Sequence, residues 1–194
     1  KIHCPISEPN YLTTEMSFTI PKLYFLFCSA IEPKKNIIFL CEVFKKFQLK
    51  HPEYSLVIVG KIGWKFKTIL NTIQKIKSII WLQKVSDAER DLLYKNAQCF
   101  IFPSIIEGFG MPPLEAMQSN IPVISSDIPV HREIQGDGAW YAELNDESAF
   151  LERMEWIVSP HNKEAIEEKK ANAKRWVERY SLENVKKQWK EIIN

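Results

Sequence analysis

Short apolar runs alternate along the chain with segments in which apolar residues recur at helical spacing. The runs are continuous, which is typical of strands buried on both faces. They lie at 23–28, 56–59, 79–82, 99–102, 121–125 and 139–142. Helical spacing is found at 35–50, 69–80, 112–118, 147–158, 163–180 and from 182 onward. The sequence Ser86-x-x-Glu89 forms a capping box, which predicts that one further helix begins there. Ile80 fits either the second helical stripe or the third strand.

Buried strands joined by helices indicate a parallel sheet that is covered on both faces. We therefore predict an α/β fold, a Rossmann-like doubly wound parallel sheet of about six strands with C-terminal helices. The 194 residues fit one domain, or one domain with a small appendage. Ligands of such sheets bind at the carboxyl ends of the strands, so the loops that follow the strands are the candidate sites.

The overall charge argues against one class of function. With 26 basic and 24 acidic residues the formal net charge is +2, so bulk charge gives no reason to expect nucleic-acid binding. The segment 54–86, however, holds six lysines and no acidic residue. That asymmetry fits either a solvated helix face or a surface that attracts a phosphorylated ligand or an anionic membrane.

Several familiar motifs are missing from the sequence. The four cysteines contain no C-x-x-C pair and the four histidines have no metal-ligand spacing, so we expect reduced thiols and no metal site. Neither a P-loop nor a G-x-S-x-G sequence occurs, which excludes the NTPases and hydrolases that depend on them. The longest apolar stretch near the start, about 23–31, is too short for a membrane span.

The loop after the first predicted strand places Lys34 and Lys35 at the start of a helix. The helix dipole disfavours cations there, so an unpaired pair of lysines needs a reason. A bound phosphate supplies one, because ammonium and backbone N–H groups then converge on one anion. The alternative is two solvated lysines in an ordinary loop.

The loop after the fourth predicted strand carries Glu107, then Gly-Phe-Gly, two prolines and Glu115. The glycines let the backbone approach a ligand and present N–H groups to an anion. A carboxylate at Glu107 can hold sugar hydroxyls, and one at Glu115 can accept from both hydroxyls of a ribose. Singly, each glutamate can be explained as solvated or as favoured by a helix N-terminus. In combination with the glycines, the two glutamates favour a ligand site. The loop 83–86, between the third predicted strand and the Ser86 cap, is placed for its backbone groups to meet a nucleobase.

These segments together resemble the donor-binding half of a retaining glycosyltransferase. The carrying sequences are A-I-E-P-K-K-N-I from Ala30, L-V-I-V-G from Leu56 with Gly63-Trp64 after it, and F-P-S-I-I-E-G-F-G-M-P-P-L-E-A-M from Phe102. They are similar to the GT-B-fold family 4, the glycosyl transferases group 1, and within it to mannosyltransferase-like enzymes of polysaccharide biosynthesis. The resemblance runs from about residue 23 to the C-terminus.

The resemblance implies a function for the whole protein. It implies transfer of a hexosyl group, with mannosyl favoured, from a nucleoside diphosphate sugar to a hydroxyl acceptor with retention. GDP-mannose or a UDP-sugar is the expected substrate, without a cofactor or metal. On this view 1–20 is the linker from a missing N-terminal domain that binds the glycan or lipid-linked acceptor, and 21–194 is the nucleotide-sugar-binding domain. The chain is then one half of a GT-B fold, expected to be inactive alone, and cytoplasmic with a possible peripheral contact to the inner face of the membrane.

The resemblance also assigns roles to individual residues. Lys35 and Glu107 are the expected catalytic pair, Lys35 on the diphosphate and Glu107 on the transferred sugar, while Glu115 holds the ribose. The full donor-binding set is Lys34, Lys35, Lys84, Val85, Glu107, Gly108, Phe109, Gly110, Met111, Leu114 and Glu115. Ala30 stands where many members carry Arg or Thr, and Gln83 where Gly is usual. Ala30 favours the alternative of a non-catalytic nucleotide-sugar-binding module, or a subunit that needs a partner chain. A sugar-nucleotide epimerase is a second alternative, which the two glutamates disfavour.

Overall fold

A computed structural model describes residues 4–9 and 16–193. It contains a six-stranded sheet in the order β3-β2-β1-β4-β5-β6, in which all neighbouring strands are parallel. The strands are β1 Tyr24–Cys28, β2 Ser55–Val59, β3 Ile79–Leu82, β4 Cys99–Phe102, β5 Val123–Ser126 and β6 Trp140–Ala142. The predicted Rossmann-like doubly wound sheet is confirmed.

Helices connect the strands and complete the C-terminal part. They are α1 Ile37–Gln48, α2 Lys67–Gln74, α3 Asp87–Asn96, α4 Met111–Gln118, α5 Pro129–Gln135, α6 Glu147–Val158, α7 Lys163–Val177 and α8 Leu182–Ile193. Short 3₁₀ turns lie at Pro33–Lys35, Gly136–Gly138, Pro160–Asn162 and Glu178–Tyr180. The Ser86 capping box is present in both directions and opens α3 as predicted, and Ile80 belongs to β3.

Several helical boundaries differ from the prediction, and one helix is not predicted at all. The predicted helix 35–50 begins only at Ile37, because Asn36 takes a left-handed φ of 57° and ends the 3₁₀ turn that contains Lys35. The predicted helix 163–180 ends at Val177 and finishes in a 3₁₀ turn. No helix is predicted for α5, whose seven residues are too few to show a hydrophobic period.

The core lies on both faces of the sheet, as continuous apolar strands require. The central strands β1 and β4 carry Phe25, Leu26, Phe100 and Ile101, all of them 0% exposed. Part of the predicted linker is packed against the domain, since Ile6 is buried and its N–H donates to the carbonyl of Tyr180 over 2.9 Å. The linker positions 1–3 and 10–15 lie outside the described residues.

Candidate functional site

The candidate site lies at the carboxyl edge of the sheet, between β1 and β4. Chain connections lead from β1 to one side of the sheet and from β4 to the other, so the loops diverge here and leave a crevice. The N–H of Ile105 donates to the carbonyl of Lys34 over 2.9 Å. The hydroxyl of Ser126 donates to the carbonyl of Ser104 over 2.5 Å. These bonds hold the loops after β1, β4 and β5 together.

Lys35 and Glu107 form an ion pair at this edge. Lys35 Nζ lies 2.5 Å from Glu107 Oε1, and the two side chains are only 9% and 8% exposed. The ammonium also lies 5.1 Å from the centre of the Phe102 ring. For a pair this buried, the desolvation cost offsets most of the mutual attraction, so the pair adds little to stability by itself. The ammonium group of Lys35 and the carboxylate of Glu107 are placed where a ligand in the crevice could meet them.

The glycine turn beside Glu107 is shaped for close approach of a ligand. Gly110 has a φ of +89°, which favours glycine, whereas a Cβ on Gly108 would meet no atom within 4 Å. Among residues 4–9 and 16–193, the N–H groups of Gly108 and Phe109 donate to no backbone carbonyl. The chain itself therefore does not require glycine at 108, and open space with free donors remains there. Phe109 anchors the turn, edge-on to the Tyr180 ring at 5.7 Å.

Glu115 lies in a neighbouring cleft of about 330 Å³ between α3 and α4. Its Oε2 accepts a hydrogen bond of 3.0 Å from the hydroxyl of Tyr94. Burial raises the pKa of Tyr94 well above its ordinary value, so this hydroxyl stays a neutral donor. Arg90, which also lines the cleft, bonds Asp87 over 2.8 Å. The carboxylate of Glu115 is thus oriented by Tyr94 while part of it still faces the cleft.

The other predicted site residues are placed unequally. Lys34 is half-exposed and lies 3.6 Å from Glu32. Lys84 and Val85 follow β3, the edge strand, with β2 between them and the ion pair, so the structure does not bring them against Lys35 and Glu107. Met111 lies at the start of α4, half-buried. Leu114 is 0% exposed and belongs to the core, so only its backbone is available to a ligand.

One residue near the site was not among those expected from the sequence. His131, on α5, is fully buried and interacts electrostatically with Glu107 and Lys35. Burial lowers its pKa below the ordinary value. The sequence does contain a signal for the helix that carries this residue, because Pro129 is suited to begin a helix and Gly136 to end one. Together these two residues indicate a short helix that contains His131.

Neither a metal centre nor a membrane-spanning helix is found in the part of the chain that the structure describes. Among residues 4–9 and 16–193, no group of three or more His, Cys, Asp or Glu side chains is arranged to hold a metal ion. Within the same part of the chain, none of the helices has both the length and the apolar character to span a membrane.

The comparison with known families assigns the chain. Residues 18–176 match the family described as glycosyl transferases group 1. The chain belongs to this family, and its sheet is the Rossmann-like unit found in GT-B glycosyltransferases.

Relatives and solved structures agree with this assignment. The chain is 34% identical to the O-antigen chain mannosyltransferase RfbU of Salmonella typhimurium over 166 residues. The matched segment covers 84% of this chain and 44% of RfbU. It thus spans less than half of that relative. A structure of S. aureus TarM in complex with UDP matches with a TM-score of 0.80 at 19% identity, over 100% of this chain and 39% of TarM. A GtfA/B complex matches with a TM-score of 0.77 at 18% identity, over 97% and 38%.

Proposed function

We propose that this chain is the nucleotide-sugar-binding half of a retaining hexosyltransferase, with mannosyl as the favoured group. The carrying observation is the buried Lys35–Glu107 pair beside the open Gly108 turn, at the switch point of the sheet. RfbU, a mannosyltransferase, supports the choice of sugar, and GDP-mannose is the first donor to test. The acceptor, a glycan or a lipid-linked glycan, is bound by the remainder of the protein.

Each site residue has a distinct task in this proposal. Lys35 leaves Glu107 for the diphosphate and, with the N–H groups of Gly108 and Phe109, stabilises the negative charge that develops on the leaving group. Glu107 holds the transferred hexosyl unit and stabilises the positive character that develops on it. Glu115, oriented by Tyr94, holds the ribose. No metal or cofactor has a part in the proposal.

Calorimetric titration with GDP, GDP-mannose, UDP and UDP-glucose tests the proposal. Lys35→Met is expected to weaken both nucleotide and nucleotide sugar by about 10-fold or more, since it removes a charge-assisted bond to the diphosphate. Glu115→Gln is expected to weaken both. Glu107→Gln is expected to weaken only the sugar-dependent part, and to leave the bare nucleotide equal or tighter because Lys35 is released.

Lys75→Met is the matched control, since Lys75 is exposed beyond the end of α2, at the opposite edge of the sheet. It is expected to change nothing. Equal loss of bare-nucleotide affinity in the Glu107 and Glu115 variants would show that the roles are assigned wrongly. Binding of none of the four ligands would overturn the proposal.

A nucleotide-sugar-binding subunit that needs a partner chain is the second candidate. It is favoured by Ala30, which offers neither a cation nor a hydroxyl to the diphosphate, and by the structural match to a GtfA/B complex. Exchange of Ala30 for Arg separates the two. A large gain in transfer by the protein that contains this chain favours a weakened enzyme, whereas unchanged absence of transfer favours the binding subunit.

We also propose a cytoplasmic location with peripheral contact to an anionic membrane. The loop between β2 and α2 exposes Ile62 by 39% and Trp64 by 53%. Lys61 and Lys65 in this loop and Lys67 at the start of α2 are exposed as well. Apolar side chains within a group of lysines suit the interface of an anionic bilayer. The lysine-rich segment 54–86 is not one patch, because Lys75 and Lys77 lie at the opposite edge of the sheet, while Lys84 follows the edge strand β3.

Vesicle sedimentation tests this contact. Vesicles with 30% phosphatidylglycerol should bind the protein at low salt, and neutral phosphatidylcholine vesicles should not. At about 1 kcal/mol per lysine, neutralising Lys61, Lys65 and Lys67 to Gln should weaken binding about 100-fold. Neutralising Lys75 and Lys77 is the control and should change it little. Vesicle binding that does not weaken as salt is added would contradict the proposed surface. An equal loss of vesicle affinity in the triple-lysine variant and in the control variant would contradict it as well.

A further inference from the structure

A buried histidine with one unpaired nitrogen lies behind the ion pair. His131 is 0% exposed, and its Nδ1 lies 2.9 Å from the carbonyl oxygen of Ser126. Because a carbonyl only accepts, Nδ1 carries the proton of the neutral ring. The Ser126 hydroxyl does not change this, since it donates its own proton to the carbonyl of Ser104. The tautomer is therefore fixed, and Nε2 is a bare acceptor.

That acceptor lies unpaired at the base of the candidate site. His131 Nε2 is buried and has no hydrogen-bond partner among the described residues, an uncommon arrangement in folded proteins. The ring packs on Phe102 at 5.5 Å, the same ring over which the Lys35 ammonium lies. His131 Cδ2, the ring atom bonded to Nε2, is 3.9 Å from where a Cβ on Gly110 would lie. This edge of the ring therefore faces the glycine turn.

Two opposite charges act on His131 in the absence of a ligand. Glu107 favours protonation of the ring and Lys35 opposes it, and the two are paired with each other. Burial lowers the pKa of His131, so the ring is neutral near pH 7.

The neighbouring elements add no further charge change. Arg132 on α5 pairs with Asp127 over 2.5 Å at the surface. The hydroxyl of Tyr141 on β6 donates to the carbonyl of Gly136 over 2.5 Å and lies 3.2 Å from the carbonyl oxygen of His131. Burial raises the pKa of Tyr141, so it remains neutral. The ion pair thus supplies the field that can change when a ligand arrives.

We propose that His131 takes up a proton at Nε2 when a nucleotide sugar binds, and then replaces Lys35 as the counter-ion of Glu107. This rests on the proposed function. A diphosphate brings two negative charges to the site and draws the Lys35 ammonium to itself, which leaves Glu107 unpaired in a poorly hydrated position. An unpaired buried carboxylate is costly, and His131 is the group behind it that can gain a proton. The proton comes from solvent, and the new N–H supplies the missing donor.

In this arrangement His131 is a positioning residue. It holds the Glu107 carboxylate toward the sugar after Lys35 has moved, without itself touching the donor. Its neutral form leaves the ligand-free ion pair undisturbed, and its charged form is stabilised only in the bound state. Donor binding is therefore coupled to pH through a residue outside the substrate contacts.

Calorimetry in buffers of different ionisation enthalpy measures the proton directly. The titrant is GDP-mannose, or whichever nucleotide sugar binds in the screen above, because its diphosphate is fully ionised and takes up no proton near pH 7. The variant is His131→Asn, whose amide N–H can keep the bond to Ser126 but cannot titrate. The control is His161→Asn, since His161 is exposed and lies in the 3₁₀ turn at Pro160–Asn162.

The wild-type protein and the control are expected to take up several tenths of a proton per donor bound at pH 7. Their affinity should rise about 3- to 10-fold from pH 8 to pH 6.5, within the limit of tenfold per pH unit for one linked group. His131→Asn should take up almost none and show a flat profile. Equal uptake and equal slopes in all three proteins overturn the inference while the proposed function stands. Failure of every protein to bind a nucleotide sugar overturns the proposed function as well.

Discussion

Breaking the Lys35–Glu107 pair from one side should cost far more stability than removing both partners. At an effective dielectric constant of about 20, unit charges 2.5 Å apart attract by about 6–7 kcal/mol. Desolvation costs several kcal/mol per ion, so the net contribution of the intact pair is small. Removing one charge leaves the other buried and unpaired, for which about 3–5 kcal/mol is usual. The two side chains keep 9% and 8% exposure, so we expect a loss at the lower end of this range or just below it, about 2–3 kcal/mol.

The assay is urea unfolding of Lys35→Met, Glu107→Met and the double variant. Each single variant should lose about 2–3 kcal/mol, and the double variant about 1 kcal/mol or less, because apolar side chains of similar volume replace the pair. Lys187→Met is the control, since Lys187 pairs with Glu183 in the open, at 63% and 79% exposure, and its unfolding midpoint should not move. A double variant that loses the sum of the two single losses would refute the reasoning.

Three further predictions concern the site and the helices around it. Gly110→Ala should lower the free energy of unfolding in urea by about 1–2 kcal/mol, because φ is +89° at this position. Gly108→Ala should leave the free energy of unfolding unchanged and weaken nucleotide binding, so equal stabilities of the two variants would contradict this prediction. Burial lowers the pKa of His131 from 6.5, so the neutral ring makes its full contribution to the free energy of unfolding above pH 6.5, and this contribution falls as the pH drops below 6.5. The melting temperature of His131→Asn should therefore fall less between pH 6.5 and lower pH than that of the wild-type protein. Ser86→Ala should lose about 1 kcal/mol through the capping box, and no loss would show that the α3 cap is not formed in solution.

The sheet was predictable from the sequence because its strands are buried on both faces. Continuous apolar runs such as Leu56–Val59 can be read without knowledge of their neighbours, and loops at the carboxyl edge then follow from the parallel order. Start and stop positions were less predictable. Asn36 ends the 3₁₀ turn through a left-handed backbone conformation, which no hydrophobic period reveals, and so Lys35 lies before the helix rather than in it.

The pairing within the site could not be predicted from the sequence. Lys35 and Glu107 are far apart in the chain, and their contact depends on how the loops after β1 and β4 bond to each other. The sequence indicates charges that await a ligand, whereas the structure pairs them with one another. His131 was missed for a related reason, because α5 has only seven residues and its buried face depends on packing against Phe102.

The most direct test of the central claim is a crystal structure of the protein with GDP or UDP bound. The diphosphate is expected between the Pro33–Lys35 turn and the Gly108–Gly110 turn, with Lys35 Nζ within hydrogen-bond distance of a phosphate oxygen and withdrawn from Glu107. The ribose is expected within reach of Glu115. A nucleotide bound elsewhere, with the Lys35–Glu107 pair still intact at 2.5 Å, would contradict the claim that this pair forms the donor site.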